Sequence, residues 1–283
     1  MRIGIEWNLF GNFYSRFGDE RYEKLKSHGY DCADFTMCNT ETWIYDEDWE
    51  GVKEKLLKEK ALADKAGIEF NQCHGPWRCP IQDGTEEDRA ERMEKMKRSI
   101  KAAAVIGCKN WVIHGIMPFG PEHLNAEQSQ KTWDMNVEFF AELLKTAKDE
   151  GVIICLENLP FEEFPLSLPE DIIKFVKLVN DDNFKMCFDT GHSWVFDLPV
   201  GEQVRLCKDY IRVFHIHDNK WHSDQHAIPF YGTIDWDDFS KALKDIDFKG
   251  VFSLEVLPPA KVNDTTFEKM SVSLNEIAKQ IIV

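Results

Sequence analysis

Residues 102–115 read AAAVIGCKNWVIHG. An amphipathic segment running from Asp88 ends at Ile106. Gly107 then stands where a helix meets its C′ turn, and the short apolar run Asn110–His114 follows. The same junction recurs at Ala66-Gly67-Ile68 and at Glu150-Gly151-Val152. Read outward from it, the chain holds eight apolar runs: Ile3–Trp7, Asp31–Phe35, Glu69–His74, Asn110–His114, Ile153–Glu157, Phe184–Asp189, Ile211–His217 and Val251–Glu255. They lack strict polar alternation, the pattern of strands covered on both faces. Longer amphipathic segments lie between them, including Trp49–Ala66, Asp88–Ile106, Asn125–Asp149, Pro169–Leu178, Trp236–Lys244 and Asp264–Ile281. Thr85 with Asp88, and Ser167 with Glu170, have the spacing of capping boxes. Eight strands alternating with helices predict an α/β protein, a single (β/α)8 TIM barrel spanning residues 1–283 as one domain. The competing doubly wound sheet lacks its usual support, since neither G-x-G-x-x-G after the first run nor a P-loop is present.

Composition narrows the class of partner. The 283 residues carry 34 Lys and Arg against 50 Asp and Glu, a net charge of −16, with 43% hydrophobic and 30% charged residues. That is a globular composition, and its acidity argues against a broad nucleic-acid or anionic-membrane surface, both of which need clustered cations. No run approaches the roughly 18 apolar residues of a membrane span, and the start MRIGIEWNLFGNF has no signal-peptide pattern, so a cytoplasmic protein without a membrane partner is expected. The eight cysteines form no C-x-x-C pair. Cys73, Cys155 and Cys187 lie in apolar runs, and the set reads as reduced core thiols.

The chemistry is concentrated at the strand ends. The third run ends in His74, the fourth in His114, the fifth in Glu157, the sixth in Asp189 with His192 beyond it. The seventh carries His215 and His217, and the eighth ends in Glu255. In a barrel these ends meet at one mouth, where catalysis sits. Converging carboxylates repel one another unless a cation stands between them, and His with carboxylate is a ligand set for a divalent metal such as Zn or Mn. After the seventh run, Asp224 and His226 flank one residue, which lets both point to one side of an extended segment.

The strand-five Glu, the D-x-x-H after strand six, the strand-seven His and the strand-eight Glu together resemble the xylose isomerase-like barrel superfamily. Within it the chain is most similar to the sugar phosphate isomerase/epimerase group, which is related to the endonuclease IV type of DNA-repair enzyme. The resemblance implies one divalent ion held by Glu157, Asp189, His215 and Glu255. The endonuclease branch adds two sites, which fall on His74, His114 and Glu157, and on His192, Asp224 and His226. One to three ions are therefore expected, Zn or Mn first, with Co or Mg as further choices.

The expected loops after the strands hold few cations (Arg16, Arg78, Lys220 and Lys261) and many aromatics: Phe10, Phe13, Tyr14, Trp77, Phe119, Phe161, Phe164, Trp194, Phe196, Trp221, Phe230 and Tyr231. Aromatic faces suit the CH face of a sugar, so a small carbohydrate is the expected partner rather than nucleic acid. Expected substrate contacts are Glu6, Trp77, Asn158, Trp194, His217 and Lys220. His217 and Asp218 are also candidates to hold the metal ligands in place.

The expected activity is metal-dependent isomerisation or epimerisation of a sugar, sugar phosphate or polyol through an enediolate. Glu157 and Glu255 would exchange the proton, with His192 orienting or protonating the substrate. Three alternatives stand beside it: a multi-zinc phosphodiester hydrolase of the endonuclease IV type, an inositol-type dehydratase, and a non-catalytic metal-binding relative. Barrels of this type form dimers or tetramers, which leaves a homo-oligomer open.

Overall fold

The computed structural model describes residues 1–7, 10, 13–77, 81, 83–257 and 261–282. Along the chain run β1 (Arg2–Glu6), α1 (Phe13–Phe17), α2 (Arg21–Ser27), β2 (Cys32–Thr36), α3 (Trp43–Asp46), α4 (Trp49–Ala66), β3 (Glu69–His74), α5 (Glu86–Val105), β4 (Asn110–Ile113), α6 (Ala126–Asp149), β5 (Ile153–Glu157), α7 (Pro169–Val179), β6 (Phe184–Asp189), α8 (Thr190–Trp194), α9 (Val200–Cys207), β7 (Ile211–His215), α10 (Trp236–Asp245), β8 (Val251–Leu254) and α11 (Asp264–Ile281). The strands form one sheet in the order β7-β6-β5-β4-β3-β2-β1-β8, with parallel pairing wherever a register is defined. A parallel bridge from Ile216 to Leu254 joins the two ends of that order and closes the barrel.

Local signals explain most of the boundaries. Thr85 and Asp88 form the expected capping box at α5, and Asn125 with Gln128 forms another at α6. Ser167 does not cap α7. That helix begins at Pro169 behind Leu168, because proline is preorganised for the first helical position, and the Ser167 hydroxyl is buried without a hydrogen bond. Gly107 and Gly151 sit at positive φ (79° and 66°), a conformation other residues adopt only at a cost. The seventh strand stops at His215, short of the expected His217. Ile216 makes only its single bridge to Leu254, and Asp218 turns away to pair antiparallel with Ala227.

The chain divides into two compact units. Unit 1 comprises Met1–Phe35, Lys60–Asn71 and Phe188–Val283; unit 2 comprises Thr36–Glu59 and Gln72–Cys187. In unit 1, α11 packs its Phe267 ring on Phe10 and Phe13, at centroid distances of 5.4 and 5.0 Å. Farther along, Phe214 meets Phe188, Phe239 and Phe248. In unit 2 the rings of Phe140, Phe175 and Phe184 pack together, and Trp111 is fully buried with its indole N–H donated to Ser99. Burial of each such side chain is worth about 1.5–3 kcal/mol. Phe10, Phe13 and Phe164, expected in loops over a pocket, are instead buried in these cores, while Tyr14, Phe119, Trp221, Phe230 and Tyr231 are exposed. Among the described residues, no helix is long and apolar enough to cross a membrane.

Candidate metal centre

In unit 1, β6 delivers Asp189 fully buried at its end, where the residue also caps α8. Its Oδ1 accepts the backbone N–H of His192 at 2.7 Å. β7 delivers His215, and the chain just beyond β8 delivers Glu255. His215 Nδ1 stands 2.8 Å from Glu255 Oε2, and donor atoms of Asp189, His215 and Glu255 lie within 4.8 Å of one another. Two carboxylates and an imidazole facing one point in a buried setting fit a divalent cation.

A second cluster in unit 1 gathers His192, Asp224 and His226, as expected, and adds His217. Asp224 Oδ2 stands 3.4 Å from His192 Nε2 and 3.5 Å from His226 Nε2. Burial raises the Asp224 carboxyl, but hydrogen bonds from both imidazoles outweigh it and hold the group far below the usual carboxylate range. Burial works against a charged His226. The Asp224 hydrogen bond and the nearby Glu255 and Asp189 carboxylates prevail, and its pKa rises to about 9. A metal entering this cluster must displace that proton. His217 is fully buried; its Nε2 donates to the Asp189 carboxylate at 3.0 Å, and its ring stacks on His226 at 4.1 Å. Gly191 is needed beneath it, since a Cβ at that position would come within 2.0 Å of the His217 ring.

The loop carrying Asp224 and His226 is built on Asp218. This fully buried carboxylate accepts four donors: the backbone N–H groups of Asn219, Phe230 and Ile234, at 2.9, 2.9 and 3.2 Å, and the Trp236 indole N–H at 2.9 Å. Asn219 adds a bond to Gly191 O and accepts from Gln225 N. Trp221, His226 and Phe230 all sit in the left-handed region, at φ of 55°, 45° and 72°. These bonds hold a strained loop in one shape.

The expected substrate contacts in unit 1 are placed variously. Glu6 is buried at the end of β1, opposite Asp34 in the β1–β2 register, and Asp34 accepts the Ser253 hydroxyl at 2.5 Å. Trp194 is half-buried and donates its indole N–H to Thr233 Oγ1. Lys220 is exposed.

Unit 2 brings His74, His114 and Glu157 together, all buried. His74 Nε2 lies 3.3 Å from His114 Nε2 and 3.4 Å from Glu157 Oε2, and His114 Nε2 lies 3.1 Å from the same oxygen. His74 donates Nδ1–H to Gly75 O at 2.9 Å, which turns Nε2 toward the other two. Gly75 is required by packing, since a Cβ there would come within 2.5 Å of Trp111. Burial opposes a charge on His74, yet contacts with Cys38 and Glu157 raise its pKa well above the usual imidazole range. Trp77 is half-buried and meets the His114 ring edge-on at 4.5 Å; Asn158 is fully buried.

Sequence reasoning missed a buried ion pair behind this cluster. Arg92 Nη1 bonds Asp83, Arg92 Nη2 donates to His114 O at 3.3 Å, and Asp83 accepts Met117 N at 2.8 Å. An arginine inside an amphipathic helix reads as a surface residue, and nothing local marks its buried partner. Cys38, two residues beyond β2, reads in the sequence as one more core thiol, yet it is half-buried and touches His74. The expected loop cation Arg78 and the thiol of Cys79 lie outside the described residues.

Comparison with known proteins identifies the family. A D-psicose 3-epimerase of Ruminiclostridium cellulolyticum is 27% identical over 203 residues, covering 69% of this chain and 66% of that protein. A probable endonuclease 4 of Metamycoplasma arthritidis is 26% identical over 191 residues, covering 63% and 66%. The crystal structure of a D-tagatose 3-epimerase-like protein superimposes over 100% of this chain and 98% of that one, with a TM-score of 0.78 at 22% identity. The family model described as xylose isomerase-like TIM barrel matches residues 22–271, and the chain belongs to that family.

Proposed function

We propose that the protein is a metal-dependent isomerase or epimerase of a sugar or polyol, acting as one catalytic domain over residues 1–283. The observation that carries this reading is the approach of Asp189, His215 and Glu255 within unit 1, with Glu157 buried at the end of β5. These four residues are the proposed ligands of one divalent ion, Zn or Mn first, with Co or Mg as further choices. When bound, such an ion polarises a carbonyl and an adjacent hydroxyl and so acidifies the carbon-bound proton between them. Glu157 and Glu255 then move that proton: one carboxylate removes it and the other returns it. The 2.8 Å contact with His215 fixes the orientation of Glu255. His192, anchored through its backbone to Asp189, orients a substrate hydroxyl. Trp77 and Trp194 offer flat apolar faces, and Glu6, Asn158 and Lys220 complete the proposed substrate contacts, while the fully buried His217 supports Asp189 rather than touching substrate. The relatives named as sugar epimerases support this reading.

The test is proton exchange. The full chain reconstituted with Mn, Co or Zn should convert at least one member of a panel of ketoses and inositol derivatives to an isomer in heavy water, with deuterium entering the carbon that changes. No conversion and no exchange across the panel with metal bound would overturn the reading.

A hydrolytic reading is favoured by one observation, the presence of all the additional ligands His74, His114, His192, Asp224 and His226 in two close clusters. It predicts cleavage of abasic duplex DNA, against which the net charge of −16 weighs.

A further inference from the structure

The His74, His114 and Glu157 atoms of unit 2 stand 3.1–3.4 Å apart, close to the roughly 3.4 Å edge of a tetrahedron built on metal–ligand bonds of about 2.0–2.1 Å. Three corners are therefore in place, and the nature of the fourth decides what a metal there does. An open fourth corner holds a water and makes a nucleophile; a protein ligand there makes a closed, structural site.

We propose that Cys38 supplies that fourth ligand, making a closed, zinc-selective site of two imidazoles, one carboxylate and one thiolate. The Cys38 thiol hydrogen-bonds with His74 and accepts the Thr36 hydroxyl at 3.2 Å. The backbone around it is tied to the segment that carries His74. Trp77 N donates to Cys38 O at 2.8 Å, and Met37 N donates to His74 O at 2.9 Å. Among the seven described cysteines, six are buried and Cys38 alone is half-buried. The sulfur meets His74 and lies outside the 4.8 Å grouping of the other three atoms, so coordination requires it to move toward them. The thiol proton passes to solvent as the sulfur–metal bond forms. Sulfur in the set favours zinc or cobalt over magnesium or manganese. With the fourth corner filled, the metal at this site has no room for a hydroxide. It ties the chain after β2 to the ends of β3, β4 and β5 and takes no part in hydrolysis. This inference does not depend on the sugar reading.

Cobalt tests it, because a thiolate–cobalt bond gives a near-ultraviolet charge-transfer band that nitrogen and oxygen ligands do not. The full chain, stripped with chelator and reloaded with cobalt, is compared with Cys38→Ser and Cys187→Ser. Cys187 is the control thiol, since its sulfur lies within 4.8 Å of a Glu157 oxygen. The expected result is a band in the wild type and in Cys187→Ser that is lost in Cys38→Ser, with all three proteins folded by circular dichroism. A band that survives Cys38→Ser, a band lost in Cys187→Ser, cobalt bound without a band, or no cobalt bound each overturns the proposal.

Discussion

His217 donates its Nε2 proton to Asp189 at 3.0 Å, and both side chains are fully buried. This bond leaves His217 Nδ1 buried without a partner, so the imidazole is committed to orienting the carboxylate. A histidine that orients a metal-binding carboxylate typically accounts for 10–100-fold in metal affinity. His217→Asn should therefore weaken metal binding by roughly 10–100-fold while the fold persists, as measured by competition with a chromogenic chelator. Unchanged affinity would show that Asp189 keeps its orientation without the His217 bond.

Glu157→Gln and Glu255→Gln should each lower turnover by at least about 10²–10⁴-fold, the range of general acid–base catalysis. Deuterium exchange separates the two roles. The variant that lost the abstracting base should stop exchange altogether. The variant that lost the returning acid should still wash substrate label into solvent. An active Glu255→Gln enzyme would remove the acid–base pair.

Asp224→Ala should reduce tightly bound metal by one ion per chain if the His192, Asp224 and His226 cluster is loaded. Plasma mass spectrometry of protein purified without added metal gives the count. An unchanged count would make Asp224 a substrate contact or a partner of the histidines.

Asp218→Asn places an amide N–H₂ among four donors that all need an acceptor. A buried donor left facing donors costs about 1–3 kcal/mol. The urea midpoint should fall accordingly, and limited proteolysis should begin within residues 219–234. A protease-resistant variant would show that the loop keeps its shape through Asn219.

His28 supplies one part of the pH dependence of stability. It is buried against Ser271, its Nδ1 3.0 Å from Ser271 Oγ, and burial lowers its pKa below the usual 6.5 despite the pull of Glu268. The unfolded chain binds this proton near pH 6.5, whereas the folded chain resists it. The contribution of His28 is therefore complete above about pH 6.5 and shrinks as the pH falls below it. From about pH 6.5 down to 5 the urea midpoint should decline and His28→Gln should flatten that decline, whereas above about pH 6.5 the raised pKa values of His74 and His226 act in the opposite sense.

Much of the fold was legible because its signals are local. Each helix-to-strand glycine, the Thr85 cap and the apolar runs are read within a few residues, and the strand-end acids and histidines stand out because charge is costly in such runs. What stayed hidden depends on a distant partner. Ser167 looked like a cap until Pro169 claimed the helix start. Asp218 gives no hint of the donors that arrive from Phe230, Ile234 and Trp236. Arg92 needs Asp83, nine residues away in sequence, to be a buried residue. His217 reads in the sequence both as a substrate contact and as a support for the ligands, and its 3.0 Å distance to Asp189 reveals the support.

The bridge that closes the barrel also bears on how the protein is born. Ile216 donates to Ser253 O and accepts from Glu255 N, so the hydrogen bonds that join β7 to β8 are the ones that set His215 beside Glu255. β8 must also pair with β1 at the other end of the chain, a contact between residues some 250 positions apart. A ribosome-bound chain lacking its last strand therefore has no His215–Glu255 pair to offer a metal. A metal held by that pair would stabilise only chains in which β8 has already met β7.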